Sequence, residues 1–431
     1  MSAPFWNCVL HARPGQWKLL AASVGVLCMA GALVCDGGVG RTTAAAHEGR
    51  DGGHGGKDRG DDRAHGRDEK RIAQGREVFR FDTFGDEQQW TDRLRMHEVI
   101  EQAVDPLTAL DLGLKVDVDA LPDEVVDAIV AGQVDLSDPA TTLALIQLDA
   151  VVGVVGKVER VDGRDRLTRV GITCALCHST VDDSLAPGIG SRLDGWPNLD
   201  LNPGAIIAAS PAVPLEAKAV YNSWGPGKYD PRFNIDGQST PLVIPPAYGL
   251  ADVKKETYTA EGPVSYWNNY VAVTQMGGHG SFKDKQLGID IVQKPDLVKH
   301  KLGILSDYQF SLEAPVAPQG SFDPAAAARG KAVFNGAGRC ATCHVPPLYT
   351  DVNRGVLHAP AETGMDPAYA QRTTTKRYRT TPLRGLATHA PYFHDGSAET
   401  LGDVVGHYDS VLRLGLTPGE KQDLVEFLKS L

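Results

Sequence analysis

The sequence carries little positive charge for its size. Its 431 residues include 43 Lys and Arg against 54 Asp and Glu, which gives a formal net charge of −11. Nucleic-acid binding depends on clustered cations that neutralise phosphates, so this balance argues against a nucleic-acid partner. With 42% hydrophobic and 23% charged residues, the chain also lacks the composition of a disordered protein. Its length predicts two or three domains.

Long apolar runs are also scarce, and the main one lies near the N-terminus. Residues 19–34 are apolar, follow Arg13 and Lys18, and end before Asp36. A positive start, a short apolar stretch and the small residues at 44–46 are typical of a secretory signal peptide. The run is shorter than the about 20 residues of a spanning helix, although an uncleaved signal could still anchor the protein. We therefore predict a signal peptide over residues 1–46 and a periplasmic or secreted protein.

The next segment, residues 47–71, has scarcely any apolar side chains and consists mostly of Gly, His, Asp and Arg. Such a stretch cannot bury enough apolar surface to offset the entropy of ordering. We predict a flexible linker here, with the folded part of the chain beginning near residue 72.

Cysteine is scarce, and its few positions are informative. Three of the seven cysteines fall in or beside the signal segment, and the other four form two Cys-x-x-Cys-His motifs, the attachment signature of c-type haem. Two thiols at this spacing can bond the two vinyl groups of one porphyrin, and the adjoining imidazole can bind the iron. A zinc site made from all four cysteines, or a pair of thioredoxin-like dithiols, would not explain a histidine after both pairs. The sequence thus predicts two covalently attached c-type haems, held by Cys174, Cys177 and His178 and by Cys340, Cys343 and His344.

The second motif has the surroundings of a cytochrome c domain. Asp323-Pro324 is a typical helix start, and an Ala-rich stretch leads from it towards the motif. Near the C-terminus, Thr417 and Glu420 have the spacing of a capping box, and an apolar stripe follows at helical spacing. A helix before the motif and an amphipathic helix at the end predict a cytochrome c domain over residues 321–431.

The first motif predicts a related but larger haem domain over residues 72–320. Residues 75–79, Gly-Arg-Glu-Val-Phe, match residues 330–334, Gly-Lys-Ala-Val-Phe. Before Cys174 lies an insertion with helical patterns at 122–131 and 139–148. It also contains a β-hairpin pattern, 151–160 with 166–172, that turns near Asp162-Gly163. The expected fold class is mainly α, with two cytochrome c-like haem domains, long loops and a small β-hairpin insertion.

A run in the C-terminal region resembles a known family. Residues 378–386 read Tyr-Arg-Thr-Thr-Pro-Leu-Arg-Gly-Leu, residues 389–397 read His-Ala-Pro-Tyr-Phe-His-Asp-Gly-Ser, and Thr-Leu follows at 400–401. This run resembles the bacterial dihaem cytochrome c peroxidase superfamily, which includes the dihaem enzyme that matures methylamine dehydrogenase and the dihaem rubber oxygenases. In the first half, residues 195–198 and 221–225 look most like uncharacterised relatives of the rubber oxygenases.

The resemblance implies a division of labour between the two haems. One haem would transfer electrons, the other would meet peroxide or oxygen, and a calcium ion often lies between them. His389 and Pro391 match positions whose backbone carbonyls bind calcium in the peroxidases, which suits an ion that prefers oxygen ligands. His394 lies in the most family-like stretch, and we assign it no role beyond hydrogen bonding.

The ligand opposite His344 is expected on a helix that begins with a capping box at residues 400–403. Peroxidases of the superfamily place a methionine about where Tyr408 stands. Tyr408 resembles the methylamine dehydrogenase maturation enzyme, whereas His407 would give a bis-histidine iron like those in rubber oxygenases. Neighbours on a helix are about 100° apart, so only one should reach the iron. We favour His407, because neutral imidazole is the commoner ligand of a low-spin carrier; Tyr408 and then Met365 are the alternatives.

For the iron bound by His178, the distal group is expected in the Gly-rich stretch around His279. His279 could bind the iron, or it could move a proton during O–O cleavage. Met276 is the other candidate ligand, although a lone methionine is more often a core residue.

A large aromatic residue is expected between the two haems. Trp267 is the first choice, because its Tyr-Trp setting is similar to that in rubber oxygenases. Trp196 and Trp224 are the rivals, and each could equally be a packing residue.

Together these features predict an exported dihaem oxidoreductase. The His344 haem would exchange electrons with a periplasmic donor or acceptor protein, and the His178 haem would reduce a small oxidant such as peroxide or oxygen. One alternative is an electron carrier with both irons six-coordinate. Another is a haem-dependent oxygenase with an apolar pocket near Phe282. The sequence gives no indication of the oligomeric state.

Overall fold

A computed structural model describes residues 58–431, with side chains from residue 68 onwards. The predicted signal peptide, residues 1–46, lies outside the described residues. Within residues 58–431, no helix is both long enough and apolar enough to cross a membrane.

Helices make up most of the regular structure, as the sequence predicts. Short 3-10 helices cover Val118–Ala120, Lys299–Lys301, Cys340–Thr342, Val352–Arg354 and Leu386–Thr388, and a π-helix covers Gln88–Arg93. The α-helices are Asp58–Phe81, Met96–Ala103, Pro106–Asp111, Asp123–Val130, Pro139–Gln147, Ala175–His178, Pro203–Ala209, Leu215–Asn222, Phe233–Asp236, Val264–Thr274, Leu302–Ser311, Pro324–Asn335, Pro360–Thr363, Ala368–Gln371, Leu401–Leu412 and Pro418–Lys429.

The strands form small two-stranded sheets rather than a layer. One pair is parallel, Val116–Asp117 with Ile189–Gly190. The antiparallel pairs are Val154–Val161 with Arg164–Ile172, Ser179–Val181 with Arg192–Asp194, Lys228–Tyr229 with Leu242–Val243, and Phe282–Asp284 with Ile289–Ile291.

The predicted hairpin insertion is present. Its two strands pair from Val154 with Ile172 to Val161 with Arg164. The two turn residues, Asp162 and Gly163, both have positive φ, 48° and 77°. That conformation is the one that a tight Asp-Gly hairpin turn requires.

The described chain forms two compact units. Among the described residues, the smaller unit comprises residues 58–68 and 121–135, and it includes the helix Asp123–Val130. The larger unit comprises residues 69–120 and 136–431 and contains both Cys-x-x-Cys-His motifs. The helix Asp58–Phe81 begins inside the segment that we expected to be a linker, so that helix includes residues 58–71. A boundary between haem domains near residue 320 stays a prediction.

A close crossing of two helices organises the first half of the larger unit. A Cβ atom on Gly75 would lie 2.0 Å from the carbonyl oxygen of Ile304 and 2.7 Å from the Cβ of Tyr308. Only glycine therefore lets the helix Asp58–Phe81 approach Leu302–Ser311 this closely. One turn later Phe79 is fully buried and packs edge-on against Tyr308, with ring centroids 5.5 Å apart.

The second half repeats this crossing. A Cβ atom on Gly330 would lie 1.9 Å from the carbonyl oxygen of Asp423 and 2.9 Å from the Cβ of Phe427. Phe334, one turn after Gly330, packs edge-on against Phe427 at 5.2 Å. The match between residues 75–79 and 330–334 therefore has a structural basis, because both stretches form the same type of helix contact.

Each crossing lies in a separate apolar core. The first core contains Phe79, Phe84 and Tyr270 together with Ala175 of the first haem motif. The second contains Phe334 and the apolar face of the helix Pro418–Lys429. Each Cys-x-x-Cys-His motif thus lies against the core that its own helix crossing builds.

A buried network of charges connects the loops of the larger unit. The guanidinium of Arg372 donates to both carboxylate oxygens of Asp230, at 2.8 and 3.1 Å, and to Asp236, at 2.8 and 2.9 Å. Arg372 and Asp230 side chains are 3% and 0% exposed. Arg232 donates a hydrogen bond to one carboxylate oxygen of Glu261, and both side chains of this ion pair are buried. Buried charges are stable only when they are paired in this manner.

We expect Arg372→Met to lower the free energy of unfolding by about 3 to 5 kcal/mol, because it leaves the carboxylate of Asp230 buried without its partner. Denaturant unfolding of both proteins in the same haem-loaded state measures the difference. The control is Arg329→Met. Arg329 also forms a bidentate pair, with Asp423, but its side chain is 62% exposed, so water screens the pair and its loss should destabilise the protein far less. Equal losses for the two variants would contradict this account.

Candidate haem sites

The first motif forms a short helix at the end of the hairpin. Ala175–His178 is helical, and Cys174 occupies the N-cap position. The preceding strand is held by Asp86, whose carboxylate accepts the backbone N–H of Ile172 at 3.2 and 3.3 Å. Asp86 is fully buried, and burial raises its pKa to about 9. No local pattern points to this residue, because its partner lies on a strand 86 residues further along the chain.

The imidazole of His178 is oriented by one hydrogen bond. Its Nδ1 lies 3.0 Å from the carbonyl oxygen of Pro245. A carbonyl oxygen only accepts, so Nδ1 carries the proton and Nε2 keeps its lone pair. Burial lowers the pKa of His178 to about 4, which keeps the ring neutral at pH 7. A neutral imidazole with one fixed N–H is the form that binds a metal.

The second motif has the same arrangement at its histidine. Cys340–Thr342 forms a single 3-10 turn, and Nδ1 of His344 donates to the carbonyl oxygen of Tyr349 at 2.9 Å. Burial also lowers the pKa of His344. Both motif histidines therefore present a free Nε2, as an axial ligand of haem iron requires.

The second motif opens into a cavity of about 580 Å³, a volume within the usual range for cofactor pockets. Cys340, Cys343 and His344 line one part of it. Many of the other lining residues are apolar, and several of these belong to the C-terminal core, among them Phe334, Leu386, Leu401, Val405, Leu424 and Leu428.

The polar atoms of this cavity fit a haem with two carboxylates. Arg379 and Arg384 line the cavity together with Arg339, and a guanidinium is the preferred partner of a carboxylate. The Nε of Arg379 is buried without a hydrogen-bond partner among the described residues, as are the hydroxyl of Tyr248 and Nδ1 of His389. Buried polar atoms are rarely left unpaired. An apolar cavity with cations and unpaired polar groups at its wall suits an apolar ring with acidic side groups.

The four cysteines do not suit the zinc alternative. Within residues 58–431, the metal-ligating side chains that cluster within 4.8 Å of one another are Cys343, Asp351 and His358, not the four thiols. His358 is already hydrogen-bonded to Asp351 at 3.0 Å.

The structure separates Tyr408 from His407. Both lie on the helix Leu401–Leu412, but Tyr408 lines the cavity and His407 does not. Nε2 of His407 donates to the carbonyl oxygen of Thr363 at 2.8 Å. Burial raises the pKa of Tyr408 to about 12, and the nearby thiols of Cys343 and Cys340 add to this shift. Tyr408 thus faces the cavity, whereas His407 is bonded elsewhere, a difference that helix periodicity alone could not show; which of them binds the iron stays a prediction.

Met365, the third alternative, also lines this cavity. It lies just after the helix Pro360–Thr363, and its backbone N–H donates to the carbonyl oxygen of Pro360 at 3.0 Å. Met365 therefore stays an alternative ligand.

Trp267 lies in the first core and not in the lining of the second cavity. It packs edge-on against Tyr266 and Tyr270, with ring centroids 5.7 and 5.5 Å apart. Its indole N–H is buried without a partner among the described residues. Cys174 packs against the same core, so the structure brings Trp267 near the first motif.

The two rival tryptophans have different surroundings. Trp196 packs edge-on against Tyr248 at 6.0 Å, and Tyr248 lines the second cavity. Trp224 is buried, and its indole N–H donates to Ser239 at 3.0 Å. Trp196 is therefore the tryptophan in contact with the wall of the second cavity, whereas Trp224 has the contacts of a packing residue.

His279 and Met276 lie in one loop beside the first core. Met276 is 4% exposed and belongs to that core, and its carbonyl accepts the indole N–H of Trp90 at 3.0 Å. The backbone N–H of His279 donates to Phe84, at 2.8 Å. The His279 imidazole makes no hydrogen bond within residues 58–431. Its role toward the first iron stays a prediction.

His394 proves to be part of the cavity wall. Tyr378 donates its hydroxyl to the carbonyl oxygen of Asp366 at 2.7 Å, so Nε2 of His394 must donate to Tyr378, at 3.0 Å. Both rings line the second cavity. The calcium site expected at His389 and Pro391 stays a prediction.

No family model matches the chain. Among curated proteins, the methylamine utilization protein MauG of Methylorubrum extorquens is 29% identical over 170 residues, which cover 32% of this chain and 46% of that protein. The cytochrome-c peroxidase IdrP1 of Denitromonas iodatirespirans is 31% identical over 154 residues, 25% of this chain and 40% of that protein. MauG of Methylophilus methylotrophus is 31% identical over 121 residues, which cover 24% of this chain and 36% of that protein. The chain thus spans less than half the length of the curated relatives it matches.

Solved structures give weaker matches. A hydrazine synthase from Kuenenia stuttgartiensis has a TM-score of 0.31 and 20% identity over 44% of this chain and 73% of that chain. A MauG-like protein associated with microbial copper homeostasis has a TM-score of 0.25 and 22% identity; the match covers 32% of this chain and 54% of that chain. At these scores we draw no conclusion from either structure.

By name, these curated relatives are methylamine utilization proteins and cytochrome-c peroxidases. The likeness of the first half to rubber oxygenases stays a prediction. MauG and the cytochrome c peroxidases are both members of the dihaem cytochrome c peroxidase superfamily, and the comparisons therefore confirm that this chain is related to that superfamily.

Proposed function

We propose that the protein is an exported dihaem c-type oxidoreductase that reduces peroxide with electrons from a partner protein. The observation that carries this proposal is the shared geometry of the two motifs. In both, the histidine donates from Nδ1 to a backbone carbonyl and keeps Nε2 free beside two cysteines. Two such sites in one compact unit suit a protein that passes electrons from one site to the other.

In this proposal the chain supplies ligands and surroundings, and each bound haem supplies an iron that changes its oxidation state. His178 and His344 would bind the irons through Nε2, and the four cysteines would hold the porphyrins as thioethers. Tyr408 is the proposed distal ligand at the second site, because it lines the cavity with its hydroxyl near Cys340 and Cys343. Arg379, whose Nη1 already pairs with Glu256 at 2.9 Å, would donate from its unpaired Nε to a haem carboxylate, and Arg384 would donate from its remaining N–H groups.

Peroxide reduction breaks the O–O bond and takes up two electrons and two protons to give two waters. The partner protein supplies the electrons through the second site. His279 is the proposed group that holds and moves a proton near the first site, because its imidazole has no hydrogen-bond partner within residues 58–431 and its backbone is fixed against the core that contains Ala175. General acid–base groups of this kind contribute about 10² to 10⁴-fold to a rate.

We expect two covalent haems per chain in the exported protein. The double variant Cys174→Ser with Cys177→Ser should hold only the second haem, and Cys340→Ser with Cys343→Ser only the first, because each thiol pair attaches its own porphyrin. Haem-to-protein ratio and intact mass of the denatured proteins measure this. A wild-type protein without haem, or a double variant that keeps two covalent haems, would contradict the assignment.

We expect Tyr408→Phe to change the spectrum of the second haem from six-coordinate to five-coordinate, high-spin, because the phenol oxygen is lost while the ring remains. His407→Gly is the control and should leave the spectrum unchanged, since Nε2 of His407 is bonded to Thr363. Electron paramagnetic resonance of the oxidised proteins distinguishes the two. The opposite result would restore His407 as the ligand, and no change in either variant would point to Met365.

We expect carbon monoxide to shift part of the spectrum of the reduced protein, because a haem that meets peroxide needs an open or displaceable position. His279→Gln should then lower the rate of peroxide reduction by about 10² to 10⁴-fold and leave the carbon monoxide shift in place.

His300→Gln, the same change at an exposed histidine of the 3-10 helix Lys299–Lys301, is the matched control and should keep the wild-type rate of peroxide reduction. If carbon monoxide leaves the spectrum of the wild-type protein unchanged, both irons are firmly six-coordinate, and the protein is an electron carrier rather than a peroxidase. If His279→Gln keeps the full rate, another group moves the proton.

A further inference from the structure

One backbone segment, residues 245–248, touches both candidate haem sites. Pro245, Pro246 and Tyr248 line the cavity that contains His344. The carbonyl oxygen of Pro245 is also the acceptor for Nδ1 of His178, at 3.0 Å. The wall of the second site therefore carries the group that orients the proximal histidine of the first site. We name residues 245–248 the shared wall.

On the side of the first site, two backbone hydrogen bonds hold the shared wall. Ala247 donates to the carbonyl oxygen of Gly195, and Gly195 donates to the carbonyl oxygen of His178, both at 2.8 Å. Gly195 has a φ of +86°, and a Cβ atom on it would lie 3.1 Å from the Cβ of Tyr248. A side chain at Gly195 would thus crowd the shared wall. We expect the backbone around Gly195 and the shared wall to move together.

On the side of the second site, residues next to the shared wall are bonded to side chains and backbone that line the cavity. The backbone N–H of Val243 donates to the carbonyl oxygen of His394 at 2.8 Å. The guanidinium of Arg384 donates to the carbonyl oxygen of Gly249. His394 and Arg384 both line the second cavity. The segment 243–249 is therefore fixed at each end to the second site and in its middle to the first.

We propose that the shared wall couples the two haem sites: a change in the second site alters the hydrogen bond between Pro245 and His178, and through it the iron of the first site. The proposal rests on the proposed function, since it requires haem at both motifs. A hydrogen bond to the outer nitrogen of a ligating histidine orients the ring and raises its basicity, which tunes the metal. No covalent bond forms or breaks, and no reactant beyond the two haems is needed.

A wall with only a structural role would not transmit a change at the second site to the first iron. Coupling between two sites is reciprocal in free energy, so a small change at the second-site face of the shared wall should be measurable at the first iron. Pro246 offers such a change. It lines the second cavity, and no hydrogen bond joins it to the first motif among the described residues.

The experiment compares Pro246→Gly with Val404→Ala in the dihaem protein. Val404 lines the same cavity, but it lies on the helix Leu401–Leu412 and outside the shared wall. For both variants, the iron–histidine stretching band and the midpoint potential of each haem are measured. Spectral bands that change in the Tyr408→Phe variant are assigned to the second haem.

We expect Pro246→Gly to shift the iron–histidine band and the potential of the first haem as well as the potential of the second, and Val404→Ala to shift only the potential of the second. A tenfold change in electron distribution between the haems corresponds to about 59 mV for one electron. If glycine prevents folding, Pro246→Ala is the milder variant with the same expected direction. If both haems are attached but the signals of the first haem are unchanged in the Pro246 variant, the coupling is overturned and the proposed function is not. The same holds if those signals change equally in the Pro246 and Val404 variants. A preparation with a single haem per chain would overturn the proposed function and the coupling with it.

Discussion

Each Cys-x-x-Cys-His motif depends on one hydrogen bond, from Nδ1 of its histidine to a backbone carbonyl. The acceptor takes the proton of one ring nitrogen and leaves the lone pair of the other for a metal. For His344 the acceptor is Tyr349, five residues further along the chain, whereas for His178 it is Pro245, 67 residues away. The second motif is therefore oriented by a local loop. The first is oriented only when a distant segment has packed in place, and that segment is also the wall of the other site.

The walls of the second cavity are connected to the buried charges of the fold. Tyr369 lies between the guanidinium groups of Arg232 and Arg372, 5.8 and 5.7 Å from its ring centre. The loop that follows Met365 is thus held at one end by paired arginines and contributes, through the carbonyl of Asp366, the acceptor for Tyr378. Since Tyr378 in turn accepts from His394, the polar side of the cavity has little freedom to rearrange. A rigid, preformed wall favours a cofactor that is bound once and kept.

Local signals in the sequence predicted the local parts of this structure. The two motifs, the capping boxes at Thr400 and Thr417, the helix after Asp323 and the Asp-Gly hairpin all follow from residues within a few positions of one another, and all are present. The sites themselves could be predicted only in part. The choice between His407 and Tyr408 depends on a carbonyl 44 residues away. The acceptor of His178 and the polar lining from residues 248, 256 and 379 come from segments that no periodicity connects to the motifs. The neighbours of Trp267 in the sequence suggest it as the aromatic residue between the haems, whereas the contact of Trp196 with Tyr248 is visible only in the fold; the choice between them stays a prediction.

The paired helix crossings at Gly75 and Gly330 differ in the length of chain they enclose, although their contacts are alike. The ion pair beside the second crossing, Arg329 with Asp423, joins residues 94 apart, whereas Arg71 and Asp307 beside the first are 236 apart. The entropy lost on closing a loop grows with the logarithm of its length, so the first closure costs about 0.8 kcal/mol more than the second. The same packing motif therefore has two different costs in chain entropy. The insertion, which carries the hairpin before the first motif, accounts for part of the difference, and the C-terminal half is the one whose ends meet more readily.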